Sequence, residues 1–195
     1  MTQTLNRTAV TSAPISEVIA NRWSPRSFDV SVDVPEENIT AFLEAARWSA
    51  SASNTQPWRF IVGRRGTATH STIVEHLMGF NKAWAGSASV LVVNLAETVS
   101  PEGAEQRWAH YDLGQAAATL ALQAHKDGFH VHQMGGIEVD PLRRSFNVDD
   151  RFDIVSVTAV GVLASPAALA DDVLREREVA PRVRKPLAEL LLADD

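Results

Sequence analysis

Ser49-Ala50-Ser51-Ala52-Ser53-Asn54-Thr55-Gln56-Pro57-Trp58-Arg59-Phe60 joins two elements of different periodicity. Upstream, Ile39, Phe42, Leu43 and Ala46 recur at helical spacing, and Pro35 sits at the first turn, where its missing donor is harmless. The helix they predict ends near Ser49. Downstream, residues 58–62 read as a strand closed by a turn over residues 63–66. A loop this rich in Ser and Asn buries little apolar area, so it serves either as a solvated connection or as a polar cradle for a ligand.

Working outward, residues 15–21 form a short helix and residues 67–78 a polar one. Residues 89–95 form a buried strand, and residues 104–127 a long helix whose Leu113, Ala117, Leu120 and Ala124 share a face. Gly114, Ala116, Ala118 and Ala121 lie beside that face, and small residues let helix backbones approach closely. Gly128 supplies the stop. Residues 130–133 predict a strand, 141–146 a helix and 153–163 a strongly apolar strand. The tail from Ser165 leans helical until Pro181 and Pro186 break it. These elements define an α+β layered fold in a single domain spanning residues 1–195.

The 195 residues suffice for one core, and 45% hydrophobic with 22% charged residues is ordinary for a soluble protein. A net charge of −6 argues against general nucleic-acid or anionic-membrane binding, which makes any basic cluster a local anion site. With no cysteine there are no disulfides, Cys-ligated zinc, iron–sulfur clusters or thiolate nucleophiles. Residues 1–14 lack the apolar core of a signal peptide, and residues 89–96 are too short to span a bilayer. The expected location is the cytoplasm.

Two basic clusters stand out. In Arg22-Trp23-Ser24-Pro25-Arg26, Pro25 holds Ser24 extended, so Arg22, Ser24 and Arg26 share a face suited to phosphate. In Pro181-Arg182-Val183-Arg184-Lys185-Pro186, the prolines disfavour helix and let Arg182 and Arg184 project together. Each alone also reads as a solvated charge run. Gly135-Gly136 follows a short strand and allows close backbone approach to a planar ligand, or simply a turn. Asn81 carries both a donor and an acceptor for a heterocycle edge, or caps a turn. Together the clusters suggest a phosphate-bearing cofactor.

His130 and His132 fall at ligand spacing on a strand, but no carboxylate or Cys is grouped with them, and no metal is expected. Trp48, Trp58, Trp84 and Trp108 suit either a flat pocket or the core. His110, Tyr111 and Asp112 have no accompanying nucleophile, which disfavours a hydrolase triad.

The motifs in order (residues 22–28, 47–58, 81–84, 133–136 and 181–186) cover nearly the whole chain, which resembles the FMN-dependent nitroreductase family. The resemblance implies a mixed central sheet surrounded by helices and an intertwined homodimer with two FMN sites at its interface. It implies that Arg22, Ser24, Arg182 and Arg184 hold the FMN phosphate and ribityl chain, and that Arg26 lies by the N1–C2=O edge. Asn81 would read the pyrimidine edge, and Gly135 and Gly136 would approach O4 and N5. Ser51 and Asn54 would cover the flavin from the partner subunit. No side chain is catalytic on this reading: the flavin N5 carries the chemistry, with NADPH or NADH as transient donor. No Gly-x-Gly-x-x-Gly fingerprint is present, in keeping with a nucleotide that only visits.

The expected reaction is ping-pong reduction of a flat nitroaromatic, quinone or activated alkene. Departures bear on the substrate: some members carry Lys where Trp84 stands, Glu at Gly135 and Pro at Ala50. Alternatives on the same scaffold are a dehydrogenase, a reductive dehalogenase, a flavin-fragmenting enzyme, or a non-catalytic module that stores or senses FMN.

Overall fold

The computed structural model describes residues 7–193. In chain order the elements are α1 (Glu17–Asn21), α2 (Glu36–Arg47), β1 (Trp58–Arg64), α3 (Ala68–Glu75), α4 (Gly79–Lys82) and β2 (Val90–Glu97). They continue with α5 (Ala109–Lys126), β3 (His130–Met134), α6 (Val139–Ser145), β4 (Phe152–Gly161) and α7 (Asp172–Val179).

The sheet order is β1-β2-β4-β3, and every pairing is antiparallel. The expected mixture of parallel and antiparallel pairs is therefore corrected. Strands β2 and β3 run in the same direction, joined by α5 as a crossover, but β4 returns between them and pairs with both. The one irregularity is a register shift between β2 and β4 at Asn94/Leu95.

All eight residues of β2 are buried, so it divides the core by alternation. Val90, Val92 and Ala96 face α2 and α5, packing with Phe42, Leu113 and Leu120. Leu91, Val93 and Leu95 face the opposite layer, packing with Ile73, Leu142 and Leu174 of α3, α6 and α7. Each such aliphatic side chain contributes roughly 1.5–3 kcal/mol when fully buried. Trp58 and Trp84 belong to this core at 6% and 3% exposure, whereas Trp48 and Trp108 stand 75% and 52% exposed.

Two boundaries differ most from the sequence expectation, and one short helix was not expected. The long helix begins at Ala109 rather than 104, because residues 99–105 fold into a turn closed by a Val99–Glu105 bridge, with Gly103 at φ +84°. Helix α3 stops at Glu75 because Leu77 leaves it to bridge with Ile137. The four-residue α4 had no sequence signal and is too short to show periodicity. Beyond α7 the described residues hold one short 3₁₀ turn, at Leu187–Glu189, and no further helix or strand.

No helix among the described residues is long and apolar enough to cross a membrane.

Candidate cofactor site

The segment after α1 alternates as expected, with Trp23 and Pro25 buried and Ser24 exposed. Behind it, the Glu178 carboxylate of α7 accepts the backbone N–H of Arg26 at 3.0 and 2.8 Å and of Ser27 at 3.1 Å. Glu178 is 1% exposed, and its second oxygen lies 4.0 Å from the Arg26 guanidinium. Burial raises its pKa, opposed by these N–H groups and by Arg26. From the segment after α7, Arg182 donates through Nη1 to the carbonyls of Arg7 and Ala20, and Arg184 donates to the Val183 carbonyl at 2.8 Å.

These contacts gather six guanidiniums, those of Arg7, Arg22, Arg26, Arg177, Arg182 and Arg184, around one cavity of about 210 Å³ that Ser24 also lines. Arg26 alone of the six is ion-paired among the described residues. Desolvation lowers the pKa of Arg22, with Arg184 adding repulsion. It also lowers that of Arg182, with Arg22, Arg184 and Arg7 adding repulsion. Such mutual repulsion is tolerable where an anion is meant to sit. A second cavity of about 310 Å³ adjoins the first through Arg22 and Ser24 and is lined by Ala118 and Ala121 of α5 and by Val131 and Gln133 of β3. The small side chains of α5 leave a smooth wall beside the charged pocket.

Two residues beyond Gln133 the strand ends in Gly135-Gly136. Asn81 donates through Nδ2 to the Gly136 carbonyl at 3.2 Å, so these two predicted residues meet. A Cβ on Gly136 would lie 2.7 Å from that nitrogen, whereas a Cβ on Gly135 would meet nothing within 4 Å. Gly136→Ala should therefore expel the Asn81 amide and destabilise the protein by about 1–2 kcal/mol, while Gly135→Ala stays within about 0.5 kcal/mol of the parent in urea melts.

Five of the ten predicted site residues, Arg22, Ser24, Arg26, Arg182 and Arg184, converge on the charged cavity. Ser51 and Asn54 do not line it. Ser51 lines a separate hollow of about 450 Å³ with Trp108, Tyr111 and Asp112, and Asn54 is exposed. Their loop holds three non-glycine residues, Ser53, Asn54 and Gln56, at positive φ, a conformation with a steric cost. Sequence reasoning missed Arg7, Arg177 and Glu178. Arg7 stands apart from the other arginines, and Arg177 and Glu178 lie in an Arg-Glu-Arg-Glu run that reads as a solvated helix face.

His130 and His132 lie beside the arginines on β3. His132 Nδ1 lies 2.8 Å from the Pro25 carbonyl, which requires the proton on Nδ1, and its ring lies tilted by 40° with its centroid 4.6 Å from that of Trp84. Burial drives both imidazoles down to about 4, helped by His125 for His130 and by Arg26 and Arg22 for His132. Unfolded, they titrate near 6.5, so between the two values the unfolded chain binds protons that the folded chain refuses. Their contribution to stability is complete above about pH 6.5 and is lost as the pH falls toward 4. Urea melts at pH 7 and pH 5 should differ by a few kcal/mol, and His130→Gln/His132→Gln should flatten the difference. No group of three or more metal-ligating side chains occurs among the described residues.

The nitroreductase family model matches residues 19–83 and 64–162. A solved structure described as an oxidoreductase containing FMN superposes with a TM-score of 0.89 at 38% identity, covering 98% of this chain and 96% of that one. An uncharacterized 15.4 kDa protein of Mycolicibacterium smegmatis is 34% identical over 142 residues, 68% of this chain and 92% of its own length. The major NAD(P)H-flavin oxidoreductase of Aliivibrio fischeri is 45% identical over 49 residues, 25% of this chain and 22% of that protein. The chain belongs to the nitroreductase family, and with it to the flavin-dependent oxidoreductases.

Proposed function

We propose that this chain is an FMN-dependent NAD(P)H oxidoreductase that reduces flat acceptors, nitroaromatics, quinones or activated alkenes, by a ping-pong cycle. The observation that carries this reading is the arginine cavity opening onto a smooth-walled space. The donor set fits the cofactor: a phosphomonoester bears about two negative charges and three acceptor oxygens, and guanidiniums meet such a group in bidentate fashion. Arg22, Ser24, Arg182 and Arg184 would hold the phosphate and ribityl chain. Ala118, Ala121 and Gln133 would bound the adjoining space. Arg26, fixed by Glu178, would place a positive charge beside the ring system, and Asn81 would position the Gly135-Gly136 backbone near it. FMN, when bound, supplies the two-electron chemistry between the nicotinamide donor and the acceptor.

The working unit on this reading is a homodimer, in which the Ser51–Asn54 loop covers the site from the partner. Apolar surface supports it: Leu187, Leu190, Leu191 and Leu192 are 51–101% exposed on the C-terminal segment, and Tyr111, Gly114 and Ala118 form an exposed stripe on α5.

The test is anaerobic. Protein loaded with FMN is mixed with NADPH or NADH while the visible flavin absorption is followed. Rapid bleaching, reversed by a nitroaromatic or quinone, is the expected result. Bound flavin that stays oxidised with both nucleotides would direct attention to the dehydrogenase or flavin-binding alternatives.

A further inference from the structure

The charged cavity holds more positive charge than one phosphate needs. Six guanidiniums set against the Glu178 carboxylate and a phosphomonoester leave roughly three positive charges uncompensated. Arg22, Arg182 and Arg184 are assigned to the phosphate and Arg26 to the ring system, and Arg7 donates to the Ala180 carbonyl and lies over Trp23, which leaves Arg177. Arg177 is exposed, and its guanidinium lies over the Phe80 ring at 5.2 Å. Phe80 is 52% exposed and is the immediate neighbour of Asn81. An exposed aromatic ring and an unpaired guanidinium therefore stand together at the rim, outside the set needed for the FMN phosphate.

We infer that Arg177 and Phe80 form a subsite for a 2′-phosphoadenosine group, with Arg177 taking the 2′-phosphate and Phe80 stacking the adenine, so that the chain selects NADPH over NADH. The inference rests on the flavin reductase reading, whose donor it specifies. The two side chains divide the recognition. A phosphate-bound guanidinium rewards only the nucleotide that carries the extra phosphate. An aromatic face rewards either nucleotide, because both contain adenine.

The experiment uses the FMN-loaded protein, with 2′,5′-ADP and 5′-AMP as probes in calorimetric titrations and NADPH and NADH as donors in anaerobic reduction. Wild-type protein should bind 2′,5′-ADP about tenfold or more tightly than 5′-AMP and show the same order of preference for NADPH. Arg177→Ala should abolish most of that preference while the NADH constants change little, with FMN held saturating so that the lost cavity charge does not enter the comparison. Phe80→Ala should weaken both nucleotides, NADPH at least as much as NADH because the change also frees Arg177 from the ring it lies over. Equal binding of the two probes by wild-type protein, or an Arg177→Ala effect shared by NADPH and NADH, would overturn the inference. Loss of the flavin reductase reading has a different signature. It appears as failure to retain FMN or to reduce it with either donor, whereas the probe titrations measure the subsite without any turnover.

Discussion

Arg182→Ala/Arg184→Ala should bind FMN at least about a hundredfold more weakly than the parent protein, a loss of roughly 3 kcal/mol or more. Hydrogen bonds to a charged group contribute about 1.5–3 kcal/mol each, and the double variant removes two guanidiniums from the cavity wall. Arg182 contributes twice. Its Nη1 also ties the backbone carbonyls of Arg7 and Ala20 to the segment after α7, so its removal loosens the stretch that carries Arg7. Quenching of FMN fluorescence on titration with protein measures the effect. Arg182→Lys/Arg184→Lys should recover part of the affinity, since an ammonium keeps the charge but loses the bidentate fork. Unchanged affinity in the alanine variant would remove the phosphate role from both residues.

The second large effect concerns Glu178. Glu178→Ala leaves the Arg26 and Ser27 backbone N–H groups without their acceptor in a buried setting, at a cost of about 1–3 kcal/mol for each. A total near 3 kcal/mol lowers the melting temperature of a chain this size by roughly 6–12 °C. The variant also removes the carboxylate paired with Arg26, which loses both its ion pair and its backbone anchor. Glu178→Gln separates the two roles. The oxygen at Oε1 accepts from both N–H groups, so a glutamine carbonyl placed there keeps an acceptor for each, while its amide must turn away from the Arg26 N–H that Oε2 accepts at 2.8 Å. Its melting temperature should therefore fall by much less, while the cavity becomes more positive and FMN binding does not weaken. Thermal melts and FMN titrations on the two variants, read together, check this. A Glu178→Gln protein as unstable as Glu178→Ala would show that the charge, rather than the acceptor, holds the segment.

Much of this arrangement was legible in the chain because local chemistry encodes it. Pro25 forces extended backbone, and that alone puts Arg22, Ser24 and Arg26 on one side. The Pro181–Pro186 pair keeps Arg182 and Arg184 out of a helix in the same way. Periodicity placed the four strands and the long helices to within a few residues. What local chemistry does not encode was missed or misjudged. The start of α5 depends on a Val99–Glu105 bridge, and the end of α3 on Leu77 pairing with Ile137, a residue 60 positions away. The antiparallel order of the sheet depends on β4 inserting between β2 and β3, which no strand sequence specifies.

The site divides along the same line. Glu178 meets Arg26 across 152 residues, and nothing in the run from Arg175 to Glu178 marks a buried carboxylate. Trp84, noted as a departure from related sequences, is a core residue stacked on Phe28 and in tilted contact with His132. Its position therefore bears on packing before it bears on substrate.

The central claim is that the arginine cavity recognises the phosphate of FMN, and comparing FMN with riboflavin tests it most directly. Both share the same ring system, so calorimetric titration of flavin-free protein with each isolates the phosphate contribution. A cavity of this charge predicts FMN binding at least about a hundredfold tighter, with an advantage that shrinks as salt is raised. Equal affinities for the two flavins at low salt would contradict it.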